Sequence, residues 1–159
     1  MMHITVIAVG KLKERFWTAA CAEYLKRLSA YAAVEVRELP DVDPARAGGE
    51  AKARAQESAS IVQALDALPN AYVVLLDIGG KTVASEDIAS RLDALALEGT
   101  NDVALVIGGS CGVDDPVRQR ANVRWSLGRI TLPHNLARVV ILEQLYRAFK
   151  INRNEPYHK

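Results

Sequence analysis

LGRITLPHNLARVVILEQLYRAFKI, residues 127 to 151, is the stretch from which the rest of the chain is read. It joins a short loop with Gly128, a Thr-Leu-Pro-His turn and a long apolar helix. Pro133 disfavours helical geometry at Leu132, so the spacing predicts a helix starting near Asn135. Glu143, Arg147 and Lys150 recur at i, i+4 and i+7 and mark a solvated stripe, with Glu143 and Arg147 placed to pair. Leu142, Leu145 and Phe149 form the opposite side, and helical rotation puts Arg138 there too. A guanidinium on an apolar face needs an anion. Either Arg138 snorkels to solvent near the helix start, or it meets an interface or a ligand.

Working outward, segments of strand and helix character alternate. His3–Val9 reads as a buried strand ended by Gly10, and Phe16, Trp17, Ala20, Cys21, Tyr24, Leu25 and Leu28 follow helical spacing. Cys21 on that apolar stripe is a core filler. A second strand covers Val34–Leu39, and residues 40–50, with two prolines and a Gly pair, read as a mobile connector. Ala51–Leu68 reads as an Ala-rich helix without evident chemistry. Tyr72–Ile78 is apolar enough to lie mid-sheet. Ser85 is placed to cap a helix reaching Leu97, Val103–Ile107 is another buried strand, and Asp114-Asp115-Pro116 starts a short helix. Trp125–Leu127 forms the last strand. The alternation predicts one α/β domain over residues 1–159, with a mostly parallel sheet flanked by helices.

Composition is that of an ordinary globular chain, half hydrophobic and a quarter charged. No apolar run approaches the ~18 residues that span a bilayer. The start, MMHITVIAVG, reads as a strand and not as a signal peptide, and two cysteines make no disulfide framework, which together predict a reduced, cytoplasmic setting. From Arg118 onward there are nine basic residues against two acids, Glu143 and Glu155, a net +7 that leaves −6 for the remainder. Such a basic third either meets a polyanion such as nucleic acid or is simply a solvated face.

Open parallel sheets bind ligands at the carboxyl ends of their strands, and three loops qualify: Asp77–Lys81, Gly108–Gly112 and Leu127–His134. The glycines of Gly108-Gly109-Ser110-Cys111-Gly112 allow close backbone approach, although a Gly pair after a strand is also a common tight turn. The loop matches neither phosphate-binding pattern, Ser110 is not in a nucleophile elbow, and no Cys, His and acid cluster suggests a metal. His134 can cap, bind or titrate. The tail Glu155-Pro156-Tyr157-His158-Lys159 carries an aromatic, an imidazole and a cation, either frayed or able to stack on a base and hold a phosphate.

Taken together, LVIGGSCG (105–112), LGRITLPH (127–134), EQLYRAF (143–149) and the closing PYHK (156–159) resemble the ribosomal RNA large subunit methyltransferase H family of the SPOUT class. The resemblance runs from Val9-Gly10-Lys11 to the terminus. It implies a C-terminal deep trefoil knot, a homodimer and S-adenosylmethionine held in the knot. It implies methylation of N3 of a pseudouridine in 23S ribosomal RNA on the assembled ribosome; a non-catalytic RNA-binding module of the same fold is the alternative. By the same resemblance the cofactor contacts fall on Leu76, Gly108, Gly109, Leu127, Gly128, Arg129, Ile130, Thr131 and Leu132. The catalytic group falls on Arg138, Tyr157 and His158, with His158, or else His134, taking the N3 proton. One departure is local: Ser110 and Cys111 stand where the family often carries Pro-Glu or another polar pair, which leaves their roles open.

Overall fold

The structure, a computed structural model, describes residues 1–157. Eleven elements follow in order: β1 (Met2–Val9), α1 (Arg15–Leu28), β2 (Ala32–Leu39), α2 (Pro44–Ala47), α3 (Glu50–Asp66), β3 (Tyr72–Thr82), α4 (Ser85–Leu97), β4 (Asp102–Ile107), α5 (Asp115–Arg120), β5 (Val123–Ser126) and α6 (His134–Asn152). All five strands are parallel, in the order β2-β1-β4-β3-β5.

Side chains alternate across a strand, so each inner strand feeds two cores. Ile4, Val6 and Ala8 of β1 join Leu105 of β4 in one core, closed by Leu28 of α1, Leu92 of α4 and Ile141, Leu142 and Leu145 of α6. Ile7 and Val9, with Val73, Leu75, Ala104 and Val106, face Ile61 and Leu65 of α3 and Val117 of α5. The near-continuous apolar reading of β3 and β4 follows from this cover on both faces.

Several expectations need correction. Residues 40–50 are not a plain connector: Asp43 Oδ1 accepts the Ala45 N–H at 3.0 Å, and this capped turn becomes α2, closed by Gly48 with φ 94°. Ser85 is the first residue of α4 and not its cap; Asp87 accepts the Ala84 N–H at 2.8 Å, and the Ser85 hydroxyl donates to Gln144 Oε1 at 2.6 Å. Phe16, counted on the buried stripe of α1, is exposed, whereas Cys21 is buried. Burial pushes the Cys21 thiol above its ordinary range, with Arg138 pulling the other way, so it remains a thiol in the core. The last strand begins earlier than expected, at Val123. On α6 the expected solvated stripe is partly covered, because Tyr31, Glu155 and Tyr157 close over Glu143, Arg147 and Lys150.

Beyond Leu76 the ladder between β3 and β5 is interrupted and resumes at Lys81. The bulge presses Gly80 onto β5, where a Cβ would lie 2.6 Å from the Arg124 carbonyl oxygen. Glycine is therefore required by space at this position, and the bulge turns Asp77 and Ile78 towards the carboxyl ends of the neighbouring strands.

Candidate active site

The carboxyl ends of β3, β4 and β5 converge on a cavity of about 730 Å³, a size suited to a cofactor. From β3 come Leu76, Asp77 and Ile78; from the loop after β4, Gly108, Gly109, Ser110 and Gly112. The third wall is Leu127, Gly128, Ile130, Thr131 and Leu132, followed by Pro133, His134 and Ala137 at the start of α6. All three loops singled out in the sequence therefore meet. Of the expected cofactor residues, Arg129 alone does not line the cavity; it is exposed. Ile130, in contrast, is an apolar side chain left 81% exposed at the cavity, where a ligand would cover it.

The two glycines after β4 are set by close packing. A Cβ on Gly108 would sit 2.9 Å from Val113 Cγ1, and one on Gly109 would sit 2.8 Å from Glu57 Oε1. Trp125, 4% exposed, and Ile107 and Val113 supply the apolar depth. The polar edge is Asp77 with Arg118. Burial pushes the Asp77 carboxyl up, but the Gly79 N–H at 2.9 Å and the Arg124 and Arg118 guanidiniums at 3.2 and 3.5 Å outweigh it. The group is held below the usual carboxylate range and stays an anion at neutral pH.

Arg138 is buried, as its place on the apolar face required, and its partner lies inside the chain. Its Nη1 donates to Glu38 Oε2 at 2.6 Å and its Nη2 to the Gly10 carbonyl at 3.0 Å. It does not line the cavity; Ala137 and His134 of the same helix do.

Tyr157 is turned back on α6 instead of fraying. Its hydroxyl donates to Glu143 Oε1 at 3.1 Å, its ring meets Tyr146 edge-on at 4.9 Å, and the Arg147 guanidinium lies 4.8 Å from the ring centre. Burial, then the Glu143 carboxylate, push the Tyr157 hydroxyl up to about 12. It is a proton donor, not a base, at neutral pH. The folded value lies above that of the unfolded chain, so the stability it contributes is present below ~pH 10 and is lost as pH rises through about 12. In an ultraviolet titration of phenolate, one tyrosine should ionise only near pH 12, and Tyr157→Phe should remove that phase. An unchanged curve in the variant would mean that the Glu143 contact is not made.

Glu143 stands six residues past Ala137, the last residue of α6 on the cavity, which at about 1.5 Å per residue places the Tyr157 contact roughly 9 Å along the helix from it. His158, the expected proton acceptor, lies outside the described residues. The sequence reading missed Glu57. It is 3% exposed, its Oε2 accepts the Val42 N–H at 2.8 Å, and its Oε1 has no partner. Its signal was the one that singled out Arg138: a charged residue on an apolar stripe, here Ala53, Glu57, Ile61 and Leu65 of α3.

Residues 2–158 match the family described as "Predicted SPOUT methyltransferase". The chain is 48% identical over 162 residues to the ribosomal RNA large subunit methyltransferase H of Pelotomaculum thermopropionicum, covering 99% of each chain. It is 48% identical over 159 residues to the protein of the same name from Bacillus thuringiensis, covering 99% of this chain and 100% of that one. Among solved structures, a methylase family protein from Neisseria gonorrhoeae superposes with a TM-score of 0.53 at 14% identity, over 98% of this chain and 85% of that one, a likeness of fold.

Proposed function

The chain belongs to the SPOUT methyltransferases, within the ribosomal RNA large subunit methyltransferase H family, and from that premise we propose that it methylates N3 of a pseudouridine in 23S ribosomal RNA on the assembled ribosome, using S-adenosylmethionine. One observation carries the reading: the loops after β3, β4 and β5 close into a single largely apolar cavity that the residues expected to hold the cofactor, Arg129 excepted, line together. The residues present fit the group. Leu76, Ile107, Leu127 and Leu132 offer apolar cover for an adenine, and the backbone of Gly108 and of residues 127–132 offers hydrogen bonds to its edge. Ile130 would close over it. When bound, S-adenosylmethionine supplies a methyl group on a sulfonium centre.

The chain's own part is positioning and proton management. The cavity walls orient the donor and exclude water, and effective alignment of two reactants is worth a large share of the rate. The N3 proton must leave, and His158 is placed in that role because an imidazole titrates near neutrality. Tyr157 enters as a hydrogen-bond donor. Arg138 enters as support: it ties α6 to Gly10 and Glu38 beside His134. Since Tyr157 lies far along α6 from its own cavity, the tail that completes a site belongs, in this reading, to the second copy of a homodimer. The basic C-terminal third would then meet the ribosomal phosphates, with binding that weakens as salt rises.

The deep trefoil knot is part of the same reading. β5 is the sheet edge beyond β3, yet α6 packs on α1 and α4, so the chain returns across the sheet between them. Among the described residues no helix is long and apolar enough to cross a membrane and no metal-ligating cluster is present; we place the activity in the cytoplasm, with the ribosome.

The direct test is transfer of labelled methyl from S-adenosylmethionine to ribosomes that lack the modification. The purified protein should label 23S RNA at a pseudouridine, and His158→Ala should cut the rate by about 10²–10⁴ with cofactor binding unchanged. Undiminished transfer in the variant would take His158 out of the mechanism. No transfer by the unaltered protein would overturn the assignment.

A further inference from the structure

A buried polar atom without a partner is costly, and native chains rarely keep one without a use. Glu57 Oε1 is such an atom. It lies against Gly109 of the cavity wall, so close that a Cβ there would stand 2.8 Å from it. The carboxyl's other oxygen is engaged by the Val42 N–H, in the segment that carries α2. Two more residues of the same face of α3 grip the far end of the glycine loop: the Asp114 N–H donates to Ser58 Oγ at 2.9 Å, and Arg54 pairs with the Asp114 carboxylate at 2.8 Å. α3 is thus a polar brace beneath the loop after β4, with every grip closed but one.

The loop above has the complementary gap. Gly112 donates to the Gly109 carbonyl at 3.1 Å, while the N–H of the exposed Ser110 has no protein partner among the described residues and is free to exchange solvent for one. Gly109 leaves no Cβ to hold the loop at a distance from Glu57. We infer that Glu57 is a positioning residue for the methyl donor: when the cavity is filled, the Ser110 N–H swings onto Glu57 Oε1 and fixes the glycine loop against its ligand. The inference rests on the cavity being the S-adenosylmethionine site. It gives the orphaned oxygen its donor, and it gives Ser110 a backbone role that its side chain does not need to serve.

Glu57→Gln separates this role from a merely structural one. The amide oxygen can still accept from Val42, while its NH2 turns a second donor towards the Ser110 N–H. Three readings should be taken on the full-length protein: calorimetric affinity for S-adenosylmethionine, thermal midpoint, and hydrogen exchange at Ser110 with and without cofactor. In the unaltered protein, cofactor should slow exchange at Ser110. In Glu57→Gln the affinity should fall about tenfold, the worth of one such hydrogen bond, with the KM for cofactor rising alike, kcat kept and the midpoint little moved. Equal affinity in the variant, or a Ser110 amide indifferent to cofactor, would overturn the role of Glu57 while leaving the cavity assignment intact. Failure of the unaltered protein to bind S-adenosylmethionine would overturn both together.

Discussion

Glu38→Ala is expected to lower stability by about 3 kcal/mol, a fall in Tm of about 9 °C for a chain of this length. The cost comes from the partner that stays behind. Arg138 is 3% exposed and keeps only the Gly10 carbonyl once Glu38 is gone, so its guanidinium is left buried and uncompensated. The value sits at the low end of what breaking a buried pair costs, because the Glu38 side chain is itself 35% exposed and water can reach its place. Arg138→Met is expected to cost less, about 1 kcal/mol, since the carboxylate it abandons can be hydrated. The double variant should then be no less stable than Arg138→Met alone. Denaturant unfolding of the four proteins reads the cycle. If Glu38→Ala proves harmless, another anion must neutralise Arg138, and the arginine returns to the reading in which it serves an interface or a ligand.

Gly108→Arg is expected to weaken S-adenosylmethionine binding more than ~100-fold, about 2.7 kcal/mol or more. Two effects add. The new Cβ would stand 2.9 Å from Val113 Cγ1, so the wall must shift before any longer side chain is placed. The remainder of the side chain then has to enter a cavity of about 730 Å³, displacing ligand and bringing a charge into apolar surroundings. Gly108→Ala isolates the first effect and should cost about tenfold, because a valine methyl can yield by a few tenths of an ångström. Calorimetric titration measures both, and circular dichroism establishes that each variant is folded. A folded Gly108→Arg protein that binds cofactor normally would move the ligand out of this cavity.

Much of the architecture could be read from side-chain spacing alone, because β3 and β4 are covered on both faces and so are apolar throughout. The same spacing placed Arg138 on a buried face and required an anion for it. What spacing could not supply was the anion, since Glu38 lies 100 residues away on β2. α2 escaped because Pro40, Pro44 and the Gly48-Gly49 pair also spell a turn; a single Asp43 cap decided in favour of helix. The three loops of the cavity were found from the rule that ligands gather at carboxyl strand ends, whereas the choice of residues within them came from family resemblance. Glu57 was passed over although α3 carried the sign, for the charged surroundings of an Ala-rich helix hid one buried carboxyl beside the exposed Glu50 and Asp66.

The sheet order has a consequence of its own. Only β1 with β2 and β3 with β4 are neighbours in both chain and sheet; β1 with β4 and β3 with β5 are not, and the cavity draws on β3, β4 and the segment beyond β5 at once. The contiguous unit β3–α4–β4 brings two walls side by side, but the third is added only when β5 seats against β3 and the segment beyond it follows. The pocket is therefore a property of completion: a molecule whose last strand has not seated is not a weaker receptor but no receptor. Occupancy counts finished chains, and by mass action the ligand favours only those.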